Sequence, residues 1–421
     1  MEKIIIEGGH ALKGELKISG SKNSALPCLF ATLLTDEKIE LENVPNLVDI
    51  ETAFSLLTHL GKKIRRYGSK VIVTSGKNLA TDAPYDLVRK MRASILVLGP
   101  LLAREGRASA SLPGGCAIGV RPINIHLSGF EALGAKSDML GGIVHLSAKK
   151  LEGRRIKFSV PSVGATENLL MASVLAEGET TIQNAAKEPE IIDCANLLNK
   201  MGANIKGAGT GTIRIHGKKN LHGANHTVIP DRIECGTYLI ASVATKGEIV
   251  LHKAFPNHLQ SLIKKLCRAG ARVEVQKKSN EDFSIFCSMN KTLKPVGITT
   301  GPYPEFPTDI QAQWMALMTI ADGNSSIQES IFENRYLHSA ELCRMGAIIE
   351  IKEGRAAIQG VKKLSGAHVM VSDLRAGAAL VIAGLISEGR TIIHRIYHLD
   401  RGYEKLEFKL QKLGAKIKRS H

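Results

Sequence analysis

The chain has 421 residues, 44% of them apolar and 23% charged, which suits two or three globular domains with substantial cores. No apolar run is long enough to span a bilayer, and seven scattered cysteines without a C-x-x-C pair exclude a disulfide framework or a zinc site of ordinary spacing. Lys plus Arg exceeds Asp plus Glu by 16, which predicts anionic partners, while 4% aromatic content with a single tryptophan, Trp314, argues against base-stacking nucleic-acid modules.

The chain opens on Met1-Glu-Lys-Ile-Ile-Ile-Glu, which reads as a strand and is too short and too acidic for a signal peptide. With the cysteine usage, this predicts a cytoplasmic protein. The Met1–Ser21 strand pair precedes the first repeat and is expected to complete the last one. From there the chain repeats itself. Six segments end in Leu60-Gly61, Leu133-Gly134, Met201-Gly202, Ala269-Gly270, Met345-Gly346 and Leu413-Gly414, with successive glycines 73, 68, 68, 76 and 68 residues apart. Such even spacing marks internal duplication.

Each repeat has the same contents. A helical stretch of small apolar residues comes first: Ser24–Leu34, Ala93–Ala103, Ala165–Ala176, Gly236–Ala244, Ile310–Ile320 and Ala376–Ile386. A Gly turn and an alternating strand follow, such as Thr181-Ile-Gln-Asn. A second, amphipathic helix such as Ile192–Met201 then stops at the repeated glycine, and a further strand closes the unit. Val228-Ile-Pro-Asp231 interrupts the pattern at the midpoint. The expectation is an α/β protein of two three-unit domains, residues 22–230 and residues 1–21 with 231–421, each pseudo-threefold, with the active site in the cleft between them.

Polar residues collect at the start of each first helix. They are Lys22 and Asn23; Arg89, Lys90 and Arg92; Ser162, Gly164 and Thr166; Asp231 and Arg232; Thr308 and Asp309; Asp373 and Arg375. Asp231, Asp309 and Asp373 are good N-cap types. Lys22, Arg92 and Arg375 are not, because a cation opposes the helix dipole unless an anion is bound there. That mismatch points to a phosphate or carboxylate ligand.

One loop stands apart: Leu112-Pro-Gly-Gly-Cys116-Ala-Ile-Gly-Val-Arg121-Pro122. Its glycines and prolines continue neither a helix nor a strand. They leave one thiol unshielded, with a guanidinium five residues on. Taken alone, Cys116 reads most simply as a buried apolar cysteine beside a turn. Positive charge nearby makes it a candidate acid or nucleophile.

Taken in order, these phrases resemble the enolpyruvyl transferases along essentially the whole chain. They are Ser19-Gly-Ser-Lys22-Asn23-Ser-Ala-Leu-Pro27, Met91-Arg92-Ala-Ser, the Cys116 loop, Pro161-Ser-Val-Gly-Ala-Thr166, Phe306-Pro-Thr-Asp309-Ile-Gln-Ala-Gln313, Phe332-Glu-Asn-Arg335, Ser372-Asp373-Leu-Arg375 and Asp400-Arg401-Gly-Tyr403. The resemblance implies a two-domain inside-out α/β barrel of six units. It implies transfer of the enolpyruvyl group of phosphoenolpyruvate to the 3'-hydroxyl of UDP-N-acetylglucosamine, the first committed step of peptidoglycan synthesis, without metal or cofactor.

By the same resemblance Cys116 is the general acid at C3 and the target of fosfomycin, and Asp309 is the base at the sugar hydroxyl. Lys22, Arg121 and Arg401 would hold phosphoenolpyruvate, with Arg92, Asp373 and Arg375 beside it. Asn23, Arg121, Pro122, Ile123, Asn124, Ile125, Val160, Pro161, Ser162, Val163, Asp309 and Ile331 would line the sugar-nucleotide site. Asn124 departs from the family, which has an acid there. The alternatives are a transferase acting on shikimate 3-phosphate, opposed by the Cys116 loop and the Ala-Gln-rich helix after Asp309, and an RNA-end-binding or cyclase-like protein, opposed by the low aromatic content.

Overall fold

The computed structural model describes residues 2–76, 78–112, 123–277, 279 and 283–420. Cys116, Arg121 and Pro122 lie outside them. The described residues form two compact units. Residues 20–112 and 123–229 make one, here the Lys22 unit. Residues 2–19 and 230–420 make the other, the Asp309 unit. The chain passes from one to the other at 19–20 and 229–230.

The repeat is visible strand by strand. Among the described residues there are six four-stranded sheets, three in each unit, with one shared pairing pattern. In the sheet containing Glu179–Gln183, that strand lies parallel to Arg155–Lys157 and antiparallel to Thr212–His216, which pairs antiparallel with Asn204–Lys206. The other five sheets repeat this order. Alternating burial along the strands, as in Thr212–His216, puts one face on the core and one in solvent.

The N-terminal strands divide, which corrects the expectation that both complete the last repeat. Lys3–Glu7 does join the sixth sheet, between Arg390–His394 and Lys416–Ser420. Lys13–Lys17 instead runs parallel to Glu248–His252 in the fourth sheet. It takes the place that in other repeats is filled by the strand arriving from the preceding repeat, as Arg155–Lys157 does beside Glu179–Gln183.

The six small-residue stretches form the buried centres. In the Asp309 unit, helices Arg232–Ala244, Gln311–Met318 and Leu374–Ile386 pack against one another. Nearly every residue of Leu374–Ile386 is buried, as a helix apolar on all sides requires. Gly236 permits the close approach, because a Cβ there would stand 2.5 Å from Ile310. In the Lys22 unit, the 3-10 helix Arg92–Val97 touches both Lys22–Ala31 and Val163–Ser173. The six repeated glycines all have left-handed φ, between 90° and 109°, and end the second helices as C-terminal stops.

Candidate active site

In the Lys22 unit, the expected residues sit where helices begin. Ser21 caps helix Lys22–Ala31, its hydroxyl accepting from the Ser24 N–H at 3.3 Å. Lys22 opens that helix and is buried, and Asn23 beside it is half-buried. Lys22 Nζ donates to Asp49 Oδ2 at 3.0 Å. Asp49, buried in the first turn of helix Val48–His59, therefore supplies from within the chain an anion at that N-terminus.

Arg92 opens the 3-10 helix Arg92–Val97 and is half-buried. Arg89 and Lys90 precede it and are exposed, and Arg89 Nη2 pairs with Asp86 at 3.2 Å. Ser162 caps helix Val163–Ser173, accepting from the Ala165 N–H at 3.3 Å. Val160 and Pro161 before it are exposed, and Val163 is half-buried. Ile123 is buried, Asn124 opens helix Asn124–Ala132 facing solvent, and Ile125 is half-buried.

In the Asp309 unit, the three candidate caps behave differently. Asp231 accepts from the Ile233 and Glu234 N–H groups at 2.7 and 2.9 Å. Asp373 accepts from those of Arg375 and Ala376 at 2.9 and 3.1 Å, holding the helix that carries Arg375. Asp309 does not stand at an N-cap position, since Pro307 precedes its 3-10 turn and Ile310 precedes the helix Gln311–Met318. It lies in the 3-10 turn Thr308–Ile310, where Oδ1 accepts from Arg335 Nη2 at 2.7 Å and Oδ2 from Arg375 Nη2 at 3.3 Å. Both guanidiniums are buried, whereas the Asp309 side chain is 29% exposed.

Further bonds fix this carboxylate and its partners. Burial pushes Arg375 toward losing its charge, but Asp309 foremost, then Tyr403 and Asp231, more than reverse that and raise its pKa above the ordinary guanidinium value. Arg375 Nη1 donates to Tyr403 OH at 3.3 Å, which in turn meets Thr237 Oγ1 at 2.9 Å and Gln313 Nε2 at 3.1 Å. Gln313 Nε2 also donates to the Asp309 carbonyl at 3.1 Å. Glu329 ties the Ile331 segment to the same turn. It accepts from the Ile331 N–H at 2.9 Å and from the Thr308 hydroxyl at 2.9 Å. Arg401 ends the 3-10 helix Ile396–Arg401 and is half-buried.

The Asp309 unit thus presents an accessible carboxylate clamped by two fixed cations. Such a group can take a proton from a hydroxyl brought to it while its orientation is held. Residue types alone did not single out Arg335, Glu329, Tyr403, Gln313 or Asp49. Arg335, Gln313 and Tyr403 stand inside three of the phrases that carry the family resemblance, which was the available signal. Asp49 and Glu329 left none.

A two-unit α/β fold with six equivalent sheets, and with basic residues and one clamped carboxylate at helix starts, defines an enolpyruvyl-transferase class of protein. The comparisons agree. The family described as EPSP synthase (3-phosphoshikimate 1-carboxyvinyltransferase) matches residues 6–410, and the chain belongs to that family. Among curated relatives, the UDP-N-acetylglucosamine 1-carboxyvinyltransferase of Endomicrobium trichonymphae is 56% identical over 100% of both chains. UDP-N-acetylglucosamine 1-carboxyvinyltransferase 2 of Carboxydothermus hydrogenoformans is 55% identical over 100% of this chain and 99% of its own. Among solved structures, the enolpyruvyl transferase NikO from Streptomyces tendae is similar at a TM-score of 0.88 and 27% identity, covering 100% of this chain and 99% of that one. EPSP synthase from Acinetobacter baumannii, 18% identical with a TM-score of 0.79 over 100% of both chains, shares the fold.

Proposed function

We propose that this chain transfers the enolpyruvyl group of phosphoenolpyruvate to the 3'-hydroxyl of UDP-N-acetylglucosamine and releases phosphate, committing the sugar nucleotide to peptidoglycan synthesis. One observation carries the reading: full-length identity above 50% to several proteins that bear this activity in their names. The Asp309 clamp supports it.

Cys116 protonates C3 of phosphoenolpyruvate, which leaves C2 electron-poor. The sugar 3'-oxygen bonds to C2 while its proton passes to Asp309. Loss of phosphate from C2 and return of a proton from C3 to the Cys116 thiolate then give the enolpyruvyl ether. Lys22, Arg121 and Arg401 hold the phosphate and carboxylate of phosphoenolpyruvate, with Arg92 and Arg375 adding positive charge. Asp373 serves by capping the helix that presents Arg375. Asn23, the 121–125 and 160–163 segments and Ile331 bind the sugar nucleotide. Arg335 orients Asp309, because it takes up one carboxylate oxygen at the shorter of the two clamp distances.

Mass spectrometry of the product tests the reading. Incubation with both substrates should convert UDP-N-acetylglucosamine to its enolpyruvyl ether. Unchanged sugar nucleotide after prolonged incubation with folded protein would refute it.

A further inference from the structure

Three side chains of metal-ligating type, none of them used by the proposed reaction, converge inside the Lys22 unit. Cys28 lies in helix Lys22–Ala31, Asp193 in helix Pro189–Lys200 and His226 in strand Ala224–Thr227. Asp193 is 165 residues from Cys28 and 33 from His226, so no local motif announces the set. All three are buried, with at most 5% exposure. Their ligand atoms all lie within 4.8 Å of one another, and among the described residues no other three such groups converge.

Asp193 is the hub. Its Oδ1 lies 2.9 Å from His226 Nε2. Its Oδ2 accepts from the Ser24 hydroxyl and, at 3.4 Å, from the Ile229 N–H, and stands 4.0 Å from Cys28 Sγ. Four-coordinate zinc, with bonds of about 2.3 Å to sulfur and about 2.0–2.2 Å to nitrogen and oxygen, needs ligand atoms roughly 3.3–3.6 Å apart. Both printed separations fall within about 0.5 Å of that range. Charge suits the same ion. A thiolate and a carboxylate balance a divalent cation and the imidazole adds nothing, so the filled site is neutral, as deep burial requires. The Ser24 hydroxyl or a water supplies the fourth ligand.

Two protons must move. Burial, then the Asp193 charge, holds the Cys28 thiol well above its ordinary pKa, so the metal-free sulfur is protonated. Metal binding replaces that S–H bond with a metal–sulfur bond and sends the proton to solvent. Lys200 Nζ lies 3.4 Å from His226 Nδ1. An ammonium only donates, so Nδ1 accepts and the neutral ring carries its proton on Nε2. A metal on Nε2 shifts that proton to Nδ1 and displaces Lys200. Lys200 is exposed and shares with His226, Glu40, Glu42 and Thr227 the lining of a cavity of about 220 Å³, so its ammonium has room to swing away.

We propose that Cys28, Asp193 and His226 form a structural zinc site that ties the helix carrying Lys22 to helix Pro189–Lys200 and strand Ala224–Thr227. Its occupancy is independent of which acceptor the enzyme uses.

Cobalt(II) titration of the full chain, stripped beforehand with a chelator, tests the site. Saturable binding should bring a sulfur-to-cobalt charge-transfer band and the strong visible bands of a four-coordinate ion, and Zn2+ should displace both. Cys28→Ser should abolish the charge-transfer band although the other six cysteines remain. His226→Gln should weaken Zn2+ binding by about 100-fold or more, and Lys200→Gln should tighten it about tenfold, because the ammonium no longer competes for Nδ1. Zn2+ should raise the Tm of the unsubstituted chain but not that of His226→Gln. If Cys28→Ser fails to fold, His226→Gln and Lys200→Gln decide. A missing charge-transfer band, a band that persists in Cys28→Ser, or unaltered Zn2+ affinity in His226→Gln would overturn the proposal.

Discussion

Arg335 donates from Nη2 to Asp309 Oδ1 at 2.7 Å, across 26 residues of sequence. The bond clamps Asp309, the proposed base. Asp309→Asn should lower turnover by about a hundredfold or more, since the base is lost. It should also destabilise the unit by about 1–3 kcal/mol, because two buried guanidiniums lose a charged acceptor. Arg335→Ala should lower kcat more than it raises KM for either substrate. Steady-state phosphate release and thermal melts check both, and near-normal turnover of Asp309→Asn would leave the carboxylate a purely structural role.

Lys22 and Asp49 form a buried pair, so Lys22→Ala should damage both activity and stability. Removing one member of such a pair leaves a desolvated charge, and Tm should fall by about 5 °C or more. The double variant Lys22→Ala/Asp49→Ala should recover part of that loss while phosphoenolpyruvate use stays impaired. Full recovery of activity in the double variant would show that the ammonium serves only its partner.

His338 is buried, and burial together with the charge of Arg335 outweighs Asp373 to push its pKa down to about 4. The same residue in the unfolded chain titrates near 6.5. Between these values the unfolded state binds more protons, so stability is lost as pH falls from about 6.5 to 4 and is fully present above that window. His338→Gln should flatten the decline. Denaturant unfolding at several pH values measures it, and an unchanged slope in the variant would assign the pH dependence elsewhere.

Much of this architecture was legible because it is local. The Leu-Gly phrases marked helix ends, small-residue runs marked the buried helices, and Asp231 and Asp373 cap as their positions suggest. What escaped reading is carried by distant partners. Nothing in the periodicity relates Asp49 to Lys22, or Arg375 to Asp309 66 residues away. Asp309 looked like a cap because the residue type fits one, but it lies inside the 3-10 turn and its carboxylate meets Arg335 and Arg375. The placement of Lys13–Lys17 escaped for the same reason, since its partner Glu248–His252 lies over 230 residues on.

The repeated glycines are equivalent in backbone but not in surroundings. Gly414 has φ +90° and open space where a Cβ would be, whereas Gly61 has φ +99° and the Asn78 carbonyl 2.2 Å from that point. Gly414→Ala should cost about 1–2 kcal/mol, the strain of a left-handed residue. Gly61→Ala should cost more, because the backbone must also shift. Equal losses in chemical denaturation would contradict this ranking.

The central claim, that this chain moves an enolpyruvyl group onto UDP-N-acetylglucosamine, is tested most directly by phosphate release from phosphoenolpyruvate with one acceptor at a time. Release should be rapid with UDP-N-acetylglucosamine, negligible with shikimate 3-phosphate or with no acceptor, and reduced about a hundredfold or more in Asp309→Asn. Release that depends on shikimate 3-phosphate, or none with UDP-N-acetylglucosamine, would contradict the account.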